Sequence, residues 1–458
     1  MKTTTAENKN ATEATTNACR LCTPLGSSLV FKGVRGAIPI MHGSQGCSTY
    51  IRRYLISHYK EPIDIASSNF SEDTAIFGGG ANLKLSIANV TSQYNPELVG
   101  ISTTCLSETI GDDVPSILRS YKLENEDTDL PEIVHISTPS YSGTHADGFA
   151  GAVRALVDAL ATGKEDDKKA SHINIMPGML SPADLRYLKE IISDFGISFR
   201  MLPDYSKTLD AGPWETYQKI SEGGTGIEEI TEMGSAEASI EFGEVTKESE
   251  SAAILLKDKF KIPAFRLPMP FGVKNTDRFF EILKQLSGNP MPEKYKDERA
   301  RLLDSYVDAH KYIFGARVAI YGEEDFVIGM FAFLTELGIT PVLCASGGTS
   351  GKLKAVIASL IPEESEAISI LEGADFGAIE EACEAIKPDF LIGHSKGYSI
   401  TRKLEIPLVR VGFPIHDRVG GARILHVGYK GAQELFDRIA NTILETKQEE
   451  SDVGYSYL

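Results

Sequence analysis

Apolar positions fall along this chain in short continuous runs, each closed by glycine or small polar residues and followed by apolar residues at helical spacing. Leu98 to Ile101 is one such run. It opens into Ser102-Thr103-Thr104-Cys105, the pattern expected where a parallel strand ends at a ligand crevice. A strand-helix-strand unit follows. Ile173 to Met176 reads as strand and Pro177-Gly178 as turn, with Ser181 as N-cap and Pro182 in the first helical position. Leu185, Leu188, Ile191 and Ile192 lie on one helical face, Phe195-Gly196 stops the helix, and Ile197 to Leu202 resumes as strand. A second unit runs from strand Arg317–Tyr321 through helix Asp325–Leu337 to strand Thr340–Cys344. A third runs from Asp389–Gly393 through the turn His394–Gly397 to Pro407–Val411. Such repetition predicts an α/β protein of three Rossmann-like, doubly wound parallel-sheet domains. The charge run Lys164 to Lys169 (KEDDKK) marks a boundary, giving a flexible arm at 1–18 and domains at 19–168, 169–310 and 311–458. The stretch Asp204 to Gly234, with Trp214 and Gly223-Gly224, reads as a surface excursion.

Composition narrows the function. The 458 residues are 42% apolar and 24% charged, the balance of a globular chain of about three domains. The formal net charge of −18 disfavours phosphate backbones and anionic lipid, so neither nucleic acid nor a membrane surface is an expected partner. No apolar stretch approaches the roughly 20 residues that span a bilayer, and the N-terminal segment has no apolar secretory core, which predicts a cytoplasmic protein.

The six cysteines are irregularly spaced, as thiols or metal ligands are rather than a disulfide framework. Cys47 follows Gly43-Ser44-Gln45-Gly46, where Gly43 and Gly46 would let backbone N–H groups approach a sulfur. Cys22 and Cys105 each stand beside a turn or strand end. Three thiols in such settings point to a metal cluster, against the plainer reading of small buried hydrophobes. Cys344 closes an apolar strand and Cys383 shares a helical face with Ile379 and Ile386, so both read as core. Cys19 and Cys22 form a lone C-x2-C without the second pair that zinc would want. Gly78-Gly79-Gly80 and the loop Gly347 to Lys352 lack phosphate-loop spacing. His394 reads as a turn histidine bonded to backbone, and Asp112-Asp113 as a helix N-terminal pair.

The segments CTPLGSSLVF, MHGSQGCSTY, SEDTAIFGGGANL, STTCLSETIGDDV, STPSYSGTHADGF, GFPIHDRVGG and VGYKGAQELFD, in this order, resemble the nitrogenase component 1 superfamily along nearly the whole chain. LPDYSKTLD, EGGTGIEEITEMGSAEASIEFG and RVGFPIHDRVGGARILHVGYKG look most like the N-type (β) subunit of the scaffold on which the iron-molybdenum cofactor matures. That resemblance implies an α2β2 assembly with an E-type partner and an iron–sulfur cluster at the interface between the two chains. An iron protein related to nitrogenase reductase would dock on the pair, and the cofactor precursor would be held mainly by the partner. In the scaffold the cluster has four irons and takes one ligand from this chain, matching Cys47. Cys22, Cys105 and Ser140 fall where a catalytic β chain carries the remaining ligands of an eight-iron P-type cluster. The alternatives are therefore a scaffold subunit and the β chain of a catalytic nitrogenase or related reductase.

Overall fold

In the computed structural model, residues 17–163, 170–361 and 367–453 are described. Most of the expected arm and the charge run 164–169 lie outside them. The last two arm residues pair with the body of the protein: Ala18 bridges Asp375, and Phe376 N–H donates to the Asn17 carbonyl.

Three parallel sheets with flanking helices make up the architecture, as the repeated βαβ pattern predicts. The first contains β1 (Ala37–His42), β2 (Ala66–Ser67), β3 (Leu98–Thr103) and β4 (Glu132–Ile136) in the order β2-β1-β3-β4. The second contains β5 (Ala170–Met176), β6 (Phe199–Met201), β7 (Ala236–Phe242) and β8 (Ala264–Leu267), ordered β6-β5-β7-β8. The third contains β9 (Arg317–Gly322), β10 (Thr340–Ser346), β11 (Ser369–Leu371), β12 (Phe390–Gly393) and β13 (Leu408–Arg410), ordered β11-β10-β9-β12-β13. In each sheet the order reverses direction beside its first central strand. Loops leaving the two strands at that point turn to opposite faces and open a crevice between them.

The central strands are buried on both sides because helices cover both faces, and so they read as continuous apolar runs. All six residues of β1 and of β3 are buried. Ser181 caps helix Pro182–Asp194 by accepting from Asp184 N–H, with Pro182 at the first position as its sequence requires. The strand expected over Ile197–Leu202 shortens to β6. The excursion after Asp204 is only partly at the surface. Tyr217 is exposed, but Tyr205, Leu209, Ile230 and Met233 join the core, and Thr225 bridges Val34. The last long helix, Gly428–Glu449, packs on helices Gly272–Ser287 and Glu293–Ile313, so the end of the chain returns to the helices that follow the second sheet.

Candidate metal centre

The reversal point of the first sheet lies between β1 and β3, and the loops leaving these two strands carry Cys47 and Cys105. After β1 the chain turns at Gly43, Ser44 stands at the N-cap position of helix Gln45–Tyr59 without a side-chain cap bond, and Cys47 sits in the first turn with the Ser44 hydroxyl 3.8 Å from its sulfur. After β3, Thr104 caps helix Cys105–Ile110, and Cys105 is its first residue. Ser140 lies in the turn after β4 and its N–H donates to the Cys105 sulfur at 3.3 Å.

Cys22 arrives from another element. It precedes helix Thr23–Lys32 as the N-cap and makes no side-chain cap bond. That helix is pressed against helix His145–Leu160 by two glycines: a Cβ on Gly26 would lie 1.7 Å from the His145 carbonyl oxygen, and one on Gly148 1.9 Å from that of Thr23. Close crossing brings Thr23 N–H to within 3.2 Å of the Ser140 hydroxyl, which also lies beside the Cys22 thiol. Cys22, Cys47, Cys105 and Ser140 thus share one edge of the first sheet. Each of the three thiols stands at a helix N-terminus, where the dipole favours bound negative charge.

Burial raises the Cys22 thiol above its ordinary range; the Ser140 hydroxyl opposes the rise, and charge on Cys47 and Cys105 adds to it. Three mutually repelling thiolates need a positive partner to ionise together, as soft metal binding supplies. Among the described residues no three His, Cys, Asp or Glu side chains are placed to hold a single metal ion. An edge of spaced thiols suits a cluster of several irons, whose terminal ligands stand apart. Cys22 and Cys47 are half-buried and Cys105 is exposed. Beside them Ile76, Phe77, Leu106 and Tyr141 project into solvent, with Phe77 84% exposed, an apolar rim of the kind that a partner covers.

Behind the thiols lies a buried network that the sequence reading missed. His42 Nδ1 bonds the Ser68 hydroxyl and His42 Nε2 bonds Asp112 Oδ2, both at 3.0 Å. The His42 carbonyl accepts from Thr104 N–H and its hydroxyl, and Asp112 accepts from Gly79 N–H. One histidine therefore ties the Cys47 loop to both ends of the Cys105 helix. The signal was the histidine directly before Gly43 and an aspartate in GDD, neither of which spacing alone relates to the other. Of the Asp112-Asp113 pair, only Asp113 caps a helix, accepting from Ser116 N–H.

The two glycines differ in their surroundings. Gly43 N–H is taken by the Ser68 hydroxyl at 2.9 Å and is not offered to sulfur; the residue is glycine because a Cβ would lie 2.1 Å from Thr104 Oγ1. Gly46 meets no such crowding.

A family model described as "Nitrogenase component 1 type Oxidoreductase" matches residues 22–444. The chain belongs to this family. It is 36% identical over 441 residues to the nitrogenase molybdenum-iron protein beta chain of Clostridium pasteurianum, covering 95% of this chain and 94% of that one. To the vanadium-iron protein beta chain of Trichormus variabilis it is 35% identical, with 98% of each covered. The solved structure "Nitrogenase Cp1 at pH 6.5" superposes with a TM-score of 0.93 at 34% identity, covering 99% of this chain and 98% of that one.

Other expected positions resolve more simply in this member of the nitrogenase component 1 family. Cys344 and Cys383 are buried in the core, where burial pushes Cys383 up to about 12. Cys19 is likewise buried and raised to about 12, away from the thiol edge's chemistry. His394 Nδ1 accepts from Lys396 N–H, the backbone role expected. Gly347 is a close-approach glycine, a Cβ there lying 2.5 Å from the Cys19 backbone. A further narrow cavity sits where the second and third sheets meet, lined by Phe149, Met176, Met269, Glu241, Glu323 and Asp325 among others, with no cysteine or histidine. No described helix is long and apolar enough to cross a membrane.

Proposed function

We propose that this chain is the β-type subunit of a nitrogenase, contributing Cys22, Cys47 and Cys105, with Ser140 beside them, to a P-type eight-iron cluster closed by an α-type partner in an α2β2 assembly. The observation that carries this reading is the convergence of all four side chains on one edge. A four-iron scaffold site would need only Cys47. The names of the relatives, molybdenum-iron and vanadium-iron beta chains, support the same choice over the scaffold. When bound, the cluster supplies one-electron relay between a docked iron protein and the partner's cofactor.

This chain's residues do the rest. The three thiolates anchor the cluster, Ser140 N–H donates to the Cys105 sulfur, and the Ser140 hydroxyl stands where it can replace or join a thiolate. Covering the apolar rim would exclude water from the sulfurs and strengthen these bonds. The cavity between the second and third sheets offers no thiolate or imidazole to an iron-molybdenum cofactor or its precursor, which accords with that group being held by the partner.

The scaffold reading keeps support from the LPDYSKTLD and GFPIHDRVGG segments, and one experiment separates the two. The chain is purified anaerobically with its α-type partner and analysed for iron and sulfide. Cys47→Ala should lose most of the interface iron on either reading. Cys22→Ala should also lose iron and change the electron paramagnetic resonance signal if the cluster is P-type. Unchanged iron and spectrum in Cys22→Ala would return the chain to the scaffold class, and a wild-type pair without iron would sink both.

A further inference from the structure

We propose that Lys396 is a fixed positive charge, delivered from the third sheet, that sets the redox potential of the thiol centre. The inference rests on the cluster reading above and goes beyond it, because Lys396 binds no metal.

Lys396 lies in the 3-10 turn Ser395–Gly397, directly after β12 and so at the reversal point of the third sheet. The turn is rigidly held. The Tyr321 hydroxyl donates to the His394 carbonyl, Ser395 bonds Asp417, and a Cβ on Gly397 would lie 2.1 Å from the Tyr321 hydroxyl oxygen. From this base the ammonium reaches towards the first sheet's helices. It donates to the Ala18 carbonyl at 3.3 Å, on the segment that leads into Cys22, and stands 5.8 Å from the ring centre of Tyr54, on the helix that carries Cys47. Tyr54 in turn packs on Tyr50, with ring centres 4.6 Å apart.

Two features make this charge consequential. First, it is uncompensated: among the described residues Lys396 has no carboxylate partner, whereas nearby Arg410 is paired with Asp417 at 2.8 Å. A half-buried ammonium satisfied by one carbonyl and one ring face is costly unless negative charge lies near it. Second, its neighbours cannot substitute for it. His145 and His394 are buried and His416 partly so, and burial lowers the affinity of all three for a proton, leaving the imidazoles neutral near pH 7. The ammonium stands against the carbonyl four residues before Cys22 and beside the helix that carries Cys47, where its field acts on negative charge held at these sulfurs.

The consequence has a definite sign. Reduction adds one electron from an external donor to the cluster and makes it more negative, with no bond formed or broken in this chain. A nearby cation stabilises that reduced state and raises the midpoint potential. Removing it should lower the potential.

The test uses the intact complex with its partner, titrated anaerobically with dithionite through viologen mediators and followed by electron paramagnetic resonance. Lys396→Met should raise the ratio of oxidised to reduced cluster several-fold when poised at the wild-type midpoint, with iron content retained. Lys396→Arg should restore the wild-type ratio, a rescue that a packing role for the alkyl stem would not need. Should Lys396→Met shed iron, Lys396→Gln, which can still donate to the Ala18 carbonyl, should show the same shift. A loaded Lys396→Met or Lys396→Gln with an unmoved midpoint overturns this inference and leaves the cluster reading intact. A wild-type complex without iron overturns the cluster reading itself.

Discussion

At the scale of single residues, the thiol edge depends on groups that do not touch it. His42 is fully buried, and its side chain joins Ser68 to Asp112 while its carbonyl holds Thr104. Asp112→Ala would strand the Gly79 N–H and one imidazole nitrogen, each worth about 1–3 kcal/mol when left unpaired and buried. The expected loss is about 2–4 kcal/mol in urea unfolding, together with weaker iron retention. Asp112→Asn keeps an acceptor for Gly79 and should lose less than half as much. Equal losses in the two variants would mean that the charge, and not the hydrogen-bond geometry, is what matters. Cys47, Cys105 and their glycine or polar surroundings were legible in the sequence because strand ends announce themselves by a change from apolar to small polar residues. The His42–Asp112 link was not, since it joins residues from two loops whose proximity exists only after β1 and β3 pair in register.

Elements position what residues supply. The crossing of helices Thr23–Lys32 and His145–Leu160 brings Cys22 to Ser140, and it is possible only because Gly26 and Gly148 let backbone meet backbone. Gly148→Ala forces these helices apart. Overpacking of this kind costs about 1–3 kcal/mol. The expected outcome is a lower unfolding midpoint with iron loss resembling that of Cys22→Ala, while the far-ultraviolet circular dichroism stays that of the wild type. In the third sheet, Glu323 caps helix Glu324–Glu336 by accepting from Asp325 and Phe326 N–H groups at 3.1 Å. It faces the internal cavity, and burial together with the Asp325 charge raises it from 4.5 to about 8. For an acid with a raised folded value, the stabilisation is complete below the unfolded value and is lost as pH rises through the folded one. Wild-type stability should therefore fall as pH climbs from about 4.5 towards about 8, and Glu323→Gln, which retains a capping oxygen, should flatten that part of the profile. A wild-type-like slope in the variant would assign the effect to another group.

On the scale of the whole molecule, histidines join parts of the chain far apart in sequence. His58 Nδ1 accepts from Ile415 N–H at 2.9 Å and His145 Nδ1 from Leu21 N–H at 3.3 Å. Burial lowers the first to about 3 and the second to about 4. A base with a depressed folded value contributes stability that is present above the unfolded value and is lost as pH falls towards the folded one. Between about pH 6.5 and 4 each group should remove up to about 1.4 kcal/mol per pH unit. Acid should therefore loosen the seam between the first and third sheets and the Cys22 segment before the sheets melt. Hydrogen exchange at Ile415 and Leu21, compared at pH 7 and pH 5, checks this; equal protection at both values would refute it.

The sequence by itself determined strands β3, β5, β6, β9, β10, β12 and β13, the cap of helix Pro182–Asp194 and the α/β class, because these follow from local periodicity and from residues such as Ser181-Pro182 that act within one turn. It also marked the thiols as candidates, and the order of its motifs marked the family. Only the tertiary structure decided that Cys22 meets Ser140, that Gly43 N–H belongs to Ser68, and that Lys396 reaches the Cys47 helix from the third sheet. Those contacts join residues up to several hundred positions apart, and their existence depends on strand order and helix crossing, which no local pattern encodes.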